Sequence, residues 1–201
     1  MTVSSYLSIF LFLFCVEIWV INLLFFSTHR AMAEAGQVIS DALEEFRLVF
    51  GRSIDVNRGY FTDDADTVLV AAGSMCGTAM YVVDLLRAEG VKAGLLTVNV
   101  FRPFPADSIV AKLGSAKKVA VFDRSSGLGS NGGPLWNEVC SALNGRSHAK
   151  IRSFIGGLGG RDVTPDTIVQ IFRCFDQLPQ WVDLRSDATE IREVVYVSDK
   201  P

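Results

Sequence analysis

The chain is poor in the side chains that hold metals. Its 201 residues include two histidines, His29 and His148, and four cysteines, Cys15, Cys76, Cys140 and Cys174, which lie far apart with no C-x-x-C pair. Clusters and structural zinc need closely spaced thiolates and imidazoles, so neither finds support within this chain. A Ser-His-Asp triad is equally short of material. Isolated thiols of this kind belong to buried positions in a reducing compartment. Basic charge is scarce as well: 19 Lys and Arg stand against 22 Asp and Glu, for a net charge of −3, and the cations are scattered. That balance creates no positive field for a polynucleotide. Internal repeats and low-complexity tracts are absent, and the length suits one α/β domain with an appendage.

Long apolar runs are present at one place. Tyr6 to Phe26 is mostly Leu, Ile, Phe and Val, interrupted chiefly by Ser8, Glu17 and Asn22. As a helix it would extend about 31 Å at 1.5 Å per residue, enough to span a bilayer. Glu17 opposes insertion by about 2.5–3.5 kcal/mol, by analogy with Asp, which the apolar residues can offset. Ala31 to Ala33 resembles a signal-peptidase site, but no Lys or Arg precedes the run and the run is too long for a signal sequence. From Arg30 to Phe50 the pattern changes. Met32, Ala35, Val38, Ile39, Ala42, Leu43, Phe46 and Val49 recur at three- and four-residue spacing, the pattern of an amphipathic helix, and Gly51 ends it. Arg52 to Ala65 reads as a polar connection with Tyr60 and Phe61 as a packing anchor.

A compact domain follows. Apolar runs at 67–72, 93–100, 117–122 and 150–155 alternate with helical patterns at 77–89, 106–113, 135–143 and 165–177. Such alternation implies a mainly parallel sheet covered on both faces, a three-layer α/β/α arrangement. Thr164 or Asp162 would cap the last helix, with Pro165 at its first position. The tail from Gln180 contains one strand-like run, Glu193 to Val197. The expected organisation is a hydrophobic segment at 1–29, a linker helix and connection at 30–65, the domain at 66–180 and a tail at 181–201.

Ligands of parallel sheets gather at the carboxyl ends of the strands, and here each end carries a distinctive turn. Gly73 and Ser74 follow the first strand, Arg102 the second, Asp123 to Ser126 the third, and Gly156 to Asp162 the fourth. Arg102, Arg124 and Arg161 therefore project to one rim, where each can bind an oxyanion or pair with a neighbouring Asp such as Asp123 or Asp162. Ser74, Gly127, Gly129, Gly160 and Asp162 complete this candidate interface or anion rim. Gly127 to Gly132 fits G-x-G-x-x-G after a strand and before a helix, the setting of a dinucleotide fingerprint. Two departures argue against that use. No acidic residue stands about 20 positions later to hold a ribose, and Pro134 removes one of the helix amides. An independent nucleotide-binding enzyme built on this loop is thus a minor alternative.

Taken in order, six blocks carry a family resemblance: Glu45-Phe46 with Phe50 to Arg52; Asp64 to Asp66 with Ala72 to Ser74 and Gly77-Thr78; Val83 to Gly90 with Gly94 to Leu96; Phe101 to Pro105; Val121 to Ser125 with Gly132 to Leu135; and Gly157 to Thr164. Over about Arg30 to Gln177 the chain resembles the C-terminal, transketolase C-terminal-like part of the alpha subunit of pyruvate-type 2-oxoacid:ferredoxin oxidoreductases. The resemblance implies a thiamine diphosphate enzyme that cleaves a 2-oxoacid, passes electrons through iron–sulfur clusters to ferredoxin or flavodoxin, and releases an acyl-CoA. It further implies beta, gamma and ferredoxin-like delta partners, magnesium in the full complex, and a cytoplasmic setting.

Nothing in this chain matches the family's pyrimidine-binding domain, and no catalytic, cofactor-binding or metal residue carries over. The expected role is an assembly and interface module, inactive alone. Because the resemblance starts where the hydrophobic run stops, Met1 to Thr28 is expected to replace coding sequence lost through a truncated or split gene. The alternative of another class is a membrane-anchored regulatory protein that uses Tyr6 to Phe26 as anchor and its rim to hold a small anion.

Overall fold

A computed structural model describes residues 3–182, with side chains described from Glu17 onward. The chain divides into two compact units, Met1–Ile54 and Asp55–Pro201.

The first unit is one helix, α1 (Val3–Phe50). The hydrophobic run and the amphipathic stretch are therefore continuous, because no Pro interrupts them and no Gly occurs before Gly36. Arg30–Glu34 at 2.7 Å and Arg47–Glu44 at 2.6 Å are the short-range ion pairs that this spacing favours. Gly51 adopts φ +64° and donates its N–H to the Arg47 carbonyl at 2.9 Å, the left-handed stop that the sequence pattern implies. Ala35, Ile39, Leu43 and Phe46 form a half-buried stripe, whereas Ile18 to Phe26 are exposed. Among the described residues no helix is long and apolar enough to cross a membrane. Tyr6 to Cys15, the first part of the apolar run, lie outside the residues whose side chains are described.

The second unit contains β1 (Asn57–Tyr60), β2 (Thr67–Ala71), α2 (Met75–Ala88), β3 (Ala93–Val98), α3 (Ala106–Leu113), β4 (Lys118–Asp123), α4 (Pro134–Leu143), β5 (Lys150–Ile155), a 3-10 turn (Leu158–Gly160) and α5 (Pro165–Arg173). The strands form one sheet in the order β1-β3-β2-β4-β5. All pairings are parallel except β1 with β3, which runs antiparallel with Asn57 opposite Val98 and Tyr60 opposite Leu95.

Alternation along the strands builds the layers. Leu69, Ala71, Leu95, Ala120, Phe122 and Phe154 join a core with Val82, Val83 and Leu86 of α2 and Ile168 and Ile171 of α5. The intervening residues Val68, Val70, Leu96, Val119 and Val121 join a second core with Ile109 and Leu113 of α3 and Leu135 and Val139 of α4. A period of two thus sends successive side chains to opposite layers, giving the expected α/β/α arrangement. Burying each large side chain contributes about 1.5–3 kcal/mol.

Strand β1 is a departure from the polar connection expected at 52–65. Its sequence, Asn57-Arg58-Gly59-Tyr60, has no apolar run because it occupies a sheet edge. Lys112 of α3 anchors it, donating to the Asn57 carbonyl at 2.5 Å and to Asn57 Oδ1 at 2.6 Å. Helix α5 begins as expected, with the Thr164 hydroxyl accepting from the Thr167 amide at 3.3 Å and Pro165 in the first turn. It ends at Arg173, sooner than the expected 177. The strand-like run Glu193 to Val197 lies outside the described residues.

Candidate functional site

At the carboxyl ends of β2, β4 and β5 three loops enclose a cleft of about 260 Å³. The first wall comes from the β2–α2 turn. Gly73, at φ +78°, reverses the chain, and Ser74 enters α2 without using its side chain as a cap. Thr78 follows one helical turn later, so both hydroxyl-bearing residues and the buried Met75 line the same wall. The second wall is Arg124, directly after β4. The third is the β5–α5 loop, which contributes Arg161, Asp162 and Val163.

Arg124 is fixed by the glycine-rich loop opposite it. Its Nε and Nη2 donate to the Gly157 carbonyl at 3.3 and 3.2 Å. Gly157 adopts φ +70°, and a Cβ there would stand 2.8 Å from Arg124 Nε and 2.9 Å from Val163 Cγ2. Glycine is thus required at this position on two counts, backbone conformation and the close approach of a guanidinium. Gly159 and Gly160 also have positive φ, but open space surrounds both. They shape the turn that delivers Arg161.

Asp123, next to Arg124, points into the other layer. Its Oδ1 accepts from the Leu135 amide at 2.9 Å and its Oδ2 from the Trp136 amide at 3.1 Å. The residue is 6% exposed, and it caps α4 from a distance because Gly133, the local cap position, has no side chain. Burial lifts the Asp123 carboxyl above the ordinary carboxylate range, and the two amides pull it partly back. A Cβ on Gly133 would lie 2.2 Å from Asp123 Cγ, so this glycine makes room for the carboxylate.

That capping sets the loop of the G-x-G-x-x-G match apart from the geometry of a dinucleotide loop. The amides that would face a pyrophosphate already hold a buried carboxylate. The loop also closes on itself, with Ser130 N–H donating to the Gly127 carbonyl at 2.8 Å. Its tip exposes Leu128 completely.

The rim residues therefore separate. Ser74, Arg124, Arg161 and Asp162 converge on the cleft. Gly160 lies next to Arg161 in the chain without lining the cleft, and Gly127 and Gly129 belong to the β4–α4 loop. Arg102 does not reach it: its guanidinium pairs with Glu138 of α4 at 2.7 Å and stacks over the Phe101 ring at 4.3 Å. Met75, Thr78, Val163 and Gly157 were not among the expected rim residues. Thr78 was detectable in principle, because its four-residue spacing from Ser74 places the two on one helix face. The role of Gly157 was not, since it depends on a side chain from another loop.

Residues 65–168 match the family described as pyruvate:ferredoxin oxidoreductase core domain II. The chain is 42% identical over 162 residues to the pyruvate synthase subunit PorA of Methanocaldococcus jannaschii, covering 78% of this chain and 41% of that protein. It is 38% identical over 166 residues to the corresponding subunit of Methanothermobacter thermautotrophicus, covering 81% and 42% respectively. A solved split-gene transketolase, an inactive β4 tetramer, is similar with a TM-score of 0.49 and 18% identity, covering 61% of this chain and 42% of that one. The chain spans about two-fifths of the length of the curated relatives it matches. With more than half of its residues inside the matched family, the chain belongs to the pyruvate:ferredoxin oxidoreductase core domain II family.

Proposed function

We propose that this chain is part of the alpha subunit of a pyruvate (2-oxoacid):ferredoxin oxidoreductase and acts there as an assembly module. The observation that carries the proposal is the 42% identity over 162 residues to a pyruvate synthase subunit, joined to the family match at 65–168. The whole enzyme would oxidatively decarboxylate a 2-oxoacid to an acyl-CoA and pass electrons to ferredoxin or flavodoxin. Family membership favours this reading over a membrane-anchored anion-binding protein.

Among the described residues no three His, Cys, Asp or Glu side chains cluster to hold a metal ion, and Cys76, Cys140 and Cys174 are separate free thiols. Burial pushes the Cys76 and Cys140 thiols up, away from the thiolate form that binds iron. These residues do not fit an iron–sulfur cluster. Thiamine diphosphate, magnesium and the clusters would reside in other domains and in beta, gamma and ferredoxin-like delta partners, in the cytoplasm. What this chain supplies is an α/β body that starts at the edge strand β1 and whose strand-end loops carry Leu128 and the glycine-rich segment after β5.

The test is capture with the tagged full-length chain from lysate of the source organism. The expected result is recovery of a subunit that binds thiamine diphosphate or an iron–sulfur cluster. Recovery of neither, with the bait folded by circular dichroism, argues against the assembly role.

A further inference from the structure

We propose that α1 pairs with α1 of a second copy of this chain as an antiparallel two-helix coiled coil. The proposal rests on α1 alone, which lies outside the residues 65–168 that match the family, and it does not depend on the assembly reading.

A seven-residue repeat defines the seam. Ile18, Phe25, Met32, Ile39 and Phe46 recur every seven residues, and Ile21, Thr28, Ala35, Ala42 and Val49 follow them in turn at a distance of three. These are the a and d positions of a coiled coil, apolar everywhere but Thr28. A straight helix drifts by about 20° per heptad against such a repeat, so the residues stay on one contact line only when the helix supercoils around a partner helix. A lipid surface sets no such period. Ile18, Ile21, Phe25, Met32 and Val49 are exposed, and Ala35, Ile39 and Phe46 are half-buried.

Charge lies on the opposite side of α1. The pairs Arg30–Glu34 at 2.7 Å, Gln37–Asp41 at 2.8 Å and Arg47–Glu44 at 2.6 Å fall wholly on the b, c and f positions, away from the seam. They engage one another there as neighbours one turn apart. Of the charged residues between 30 and 47, only Glu45 flanks the seam.

Side-chain size sets the orientation and register. The a positions are all large, whereas Thr28, Ala35 and Ala42 at d are small. In a parallel pair each large side chain would meet its own copy. Reversing one helix about a dyad between Met32 and Ala35 instead sets Phe25 against Ala42, Met32 against Ala35 and Ile39 against Thr28, with Ile18 against Val49 and Ile21 against Phe46 at the ends. Bulk then faces a gap in the central layers, as close packing requires. The seam is self-complementary, so the pair closes as a two-fold dimer. Burying the seven large side chains of each chain, at roughly 60–120 Å² apiece, removes about 800–1,700 Å² from water. That reaches the class of specific interfaces, about 1,200–2,000 Å².

The test co-expresses two differently tagged full-length chains, one with Phe25→Cys and the other with Ala42→Cys, both carrying Cys15→Ser and Cys174→Ser. Oxidation is expected to link the two tags. Either variant alone should give no disulfide between copies, because positions 25 and 42 lie about 25 Å apart along a helix. Links within one variant alone overturn the antiparallel register. Equal linking of Phe25→Cys to Ser40→Cys, on the outer face, overturns the seam. Sedimentation equilibrium gives a second readout: twice the monomer mass is expected, with Met32→Glu at the dyad weakening association at least about tenfold and Ser40→Lys leaving it unchanged. Glu and Met have similar helix propensity, so α1 persists in that variant. A monomeric mass at about 50 μM, well above a micromolar Kd, overturns the pairing. So does recovery of the chain as a monomer on phosphatidylcholine vesicles. Self-association and partner capture are measured separately, so either can fail alone.

Discussion

Replacing Asp123 by Ala should destabilise the second unit more than any exposed-charge substitution in it. The carboxylate satisfies two amides of the first turn of α4, at 2.9 and 3.1 Å, in a setting where Leu135 is itself buried. Loss of a helix cap costs about 0.5–2 kcal/mol. Each buried amide left without an acceptor adds about 1–3 kcal/mol, reduced where water enters the space vacated. A total near 3 kcal/mol follows, and with a urea slope of about 1.5–2 kcal/mol/M the midpoint should fall by roughly 1.5–2 M. Asp123→Asn retains one acceptor oxygen but turns an NH2 toward the second amide, so it should lose about half as much. The pH dependence provides an independent check. A folded-state carboxyl held above its unfolded value makes its largest contribution below the unfolded pKa, and that contribution declines as pH rises through the folded value. The gap between wild type and Asp123→Ala should therefore widen as pH is lowered from 7 toward 4. Urea unfolding of the full-length chain followed by far-UV circular dichroism reads both effects. A midpoint change below about 0.3 M for Asp123→Ala would refute the capping account, since that is smaller than the loss of one ordinary cap.

The same assay separates the glycines of the β5–α5 loop. Gly160→Ala meets open space and should cost only the left-handed strain of about 1–2 kcal/mol, whereas Gly157→Ala adds contacts of 2.8 and 2.9 Å with Arg124 and Val163 and should cost clearly more. Equal costs would remove the fit between Gly157 and Arg124. Asp176 receives Lys118 at 2.8 Å and Lys150 at 2.7 Å, and these two hydrogen bonds hold its carboxyl down to about 2. Its contribution is present above the unfolded value of 3.8 and is lost as pH falls toward 2, so Asp176→Asn should flatten the acid limb of the stability profile between those values. An acid titration in which both proteins unfold along the same curve contradicts this. Lys112→Met leaves the Asn57 carbonyl and Oδ1 without their ammonium donor, at a cost of about 1–3 kcal/mol. Hydrogen exchange should then accelerate in Asn57–Tyr60 before it does in β2 or β4, and protection unchanged at β1 would show that Lys112 is not its anchor.

The strands that the sequence made legible are those buried on both faces. Val68 to Ala71 and Val119 to Phe122 are short apolar runs because each successive side chain enters one of two cores. Strand β1 lacked that signature, since an edge strand can be polar and needs one lysine from α3 to secure it. Thr164 and Pro165 announced the start of α5 because the cap and its amide lie three residues apart. Asp123 gave no such signal, because the amides it caps lie beyond an intervening loop and only the fold brings them together. This difference decides the glycine loops as well. The absence of a ribose-binding acid after Gly127 to Gly132 argues against a dinucleotide from sequence, and the internal carboxylate seated on α4 is a second argument that only the fold supplies. Gly156 to Thr164 is composite for the same reason: Gly159 and Gly160 serve the local turn, while Gly157 is shaped to a guanidinium from another strand. Local pattern therefore recovers residues whose partners are near in sequence. Arg124, turned away from Asp123 and toward Gly157, acquires its role through contacts made only when β4 and β5 lie side by side.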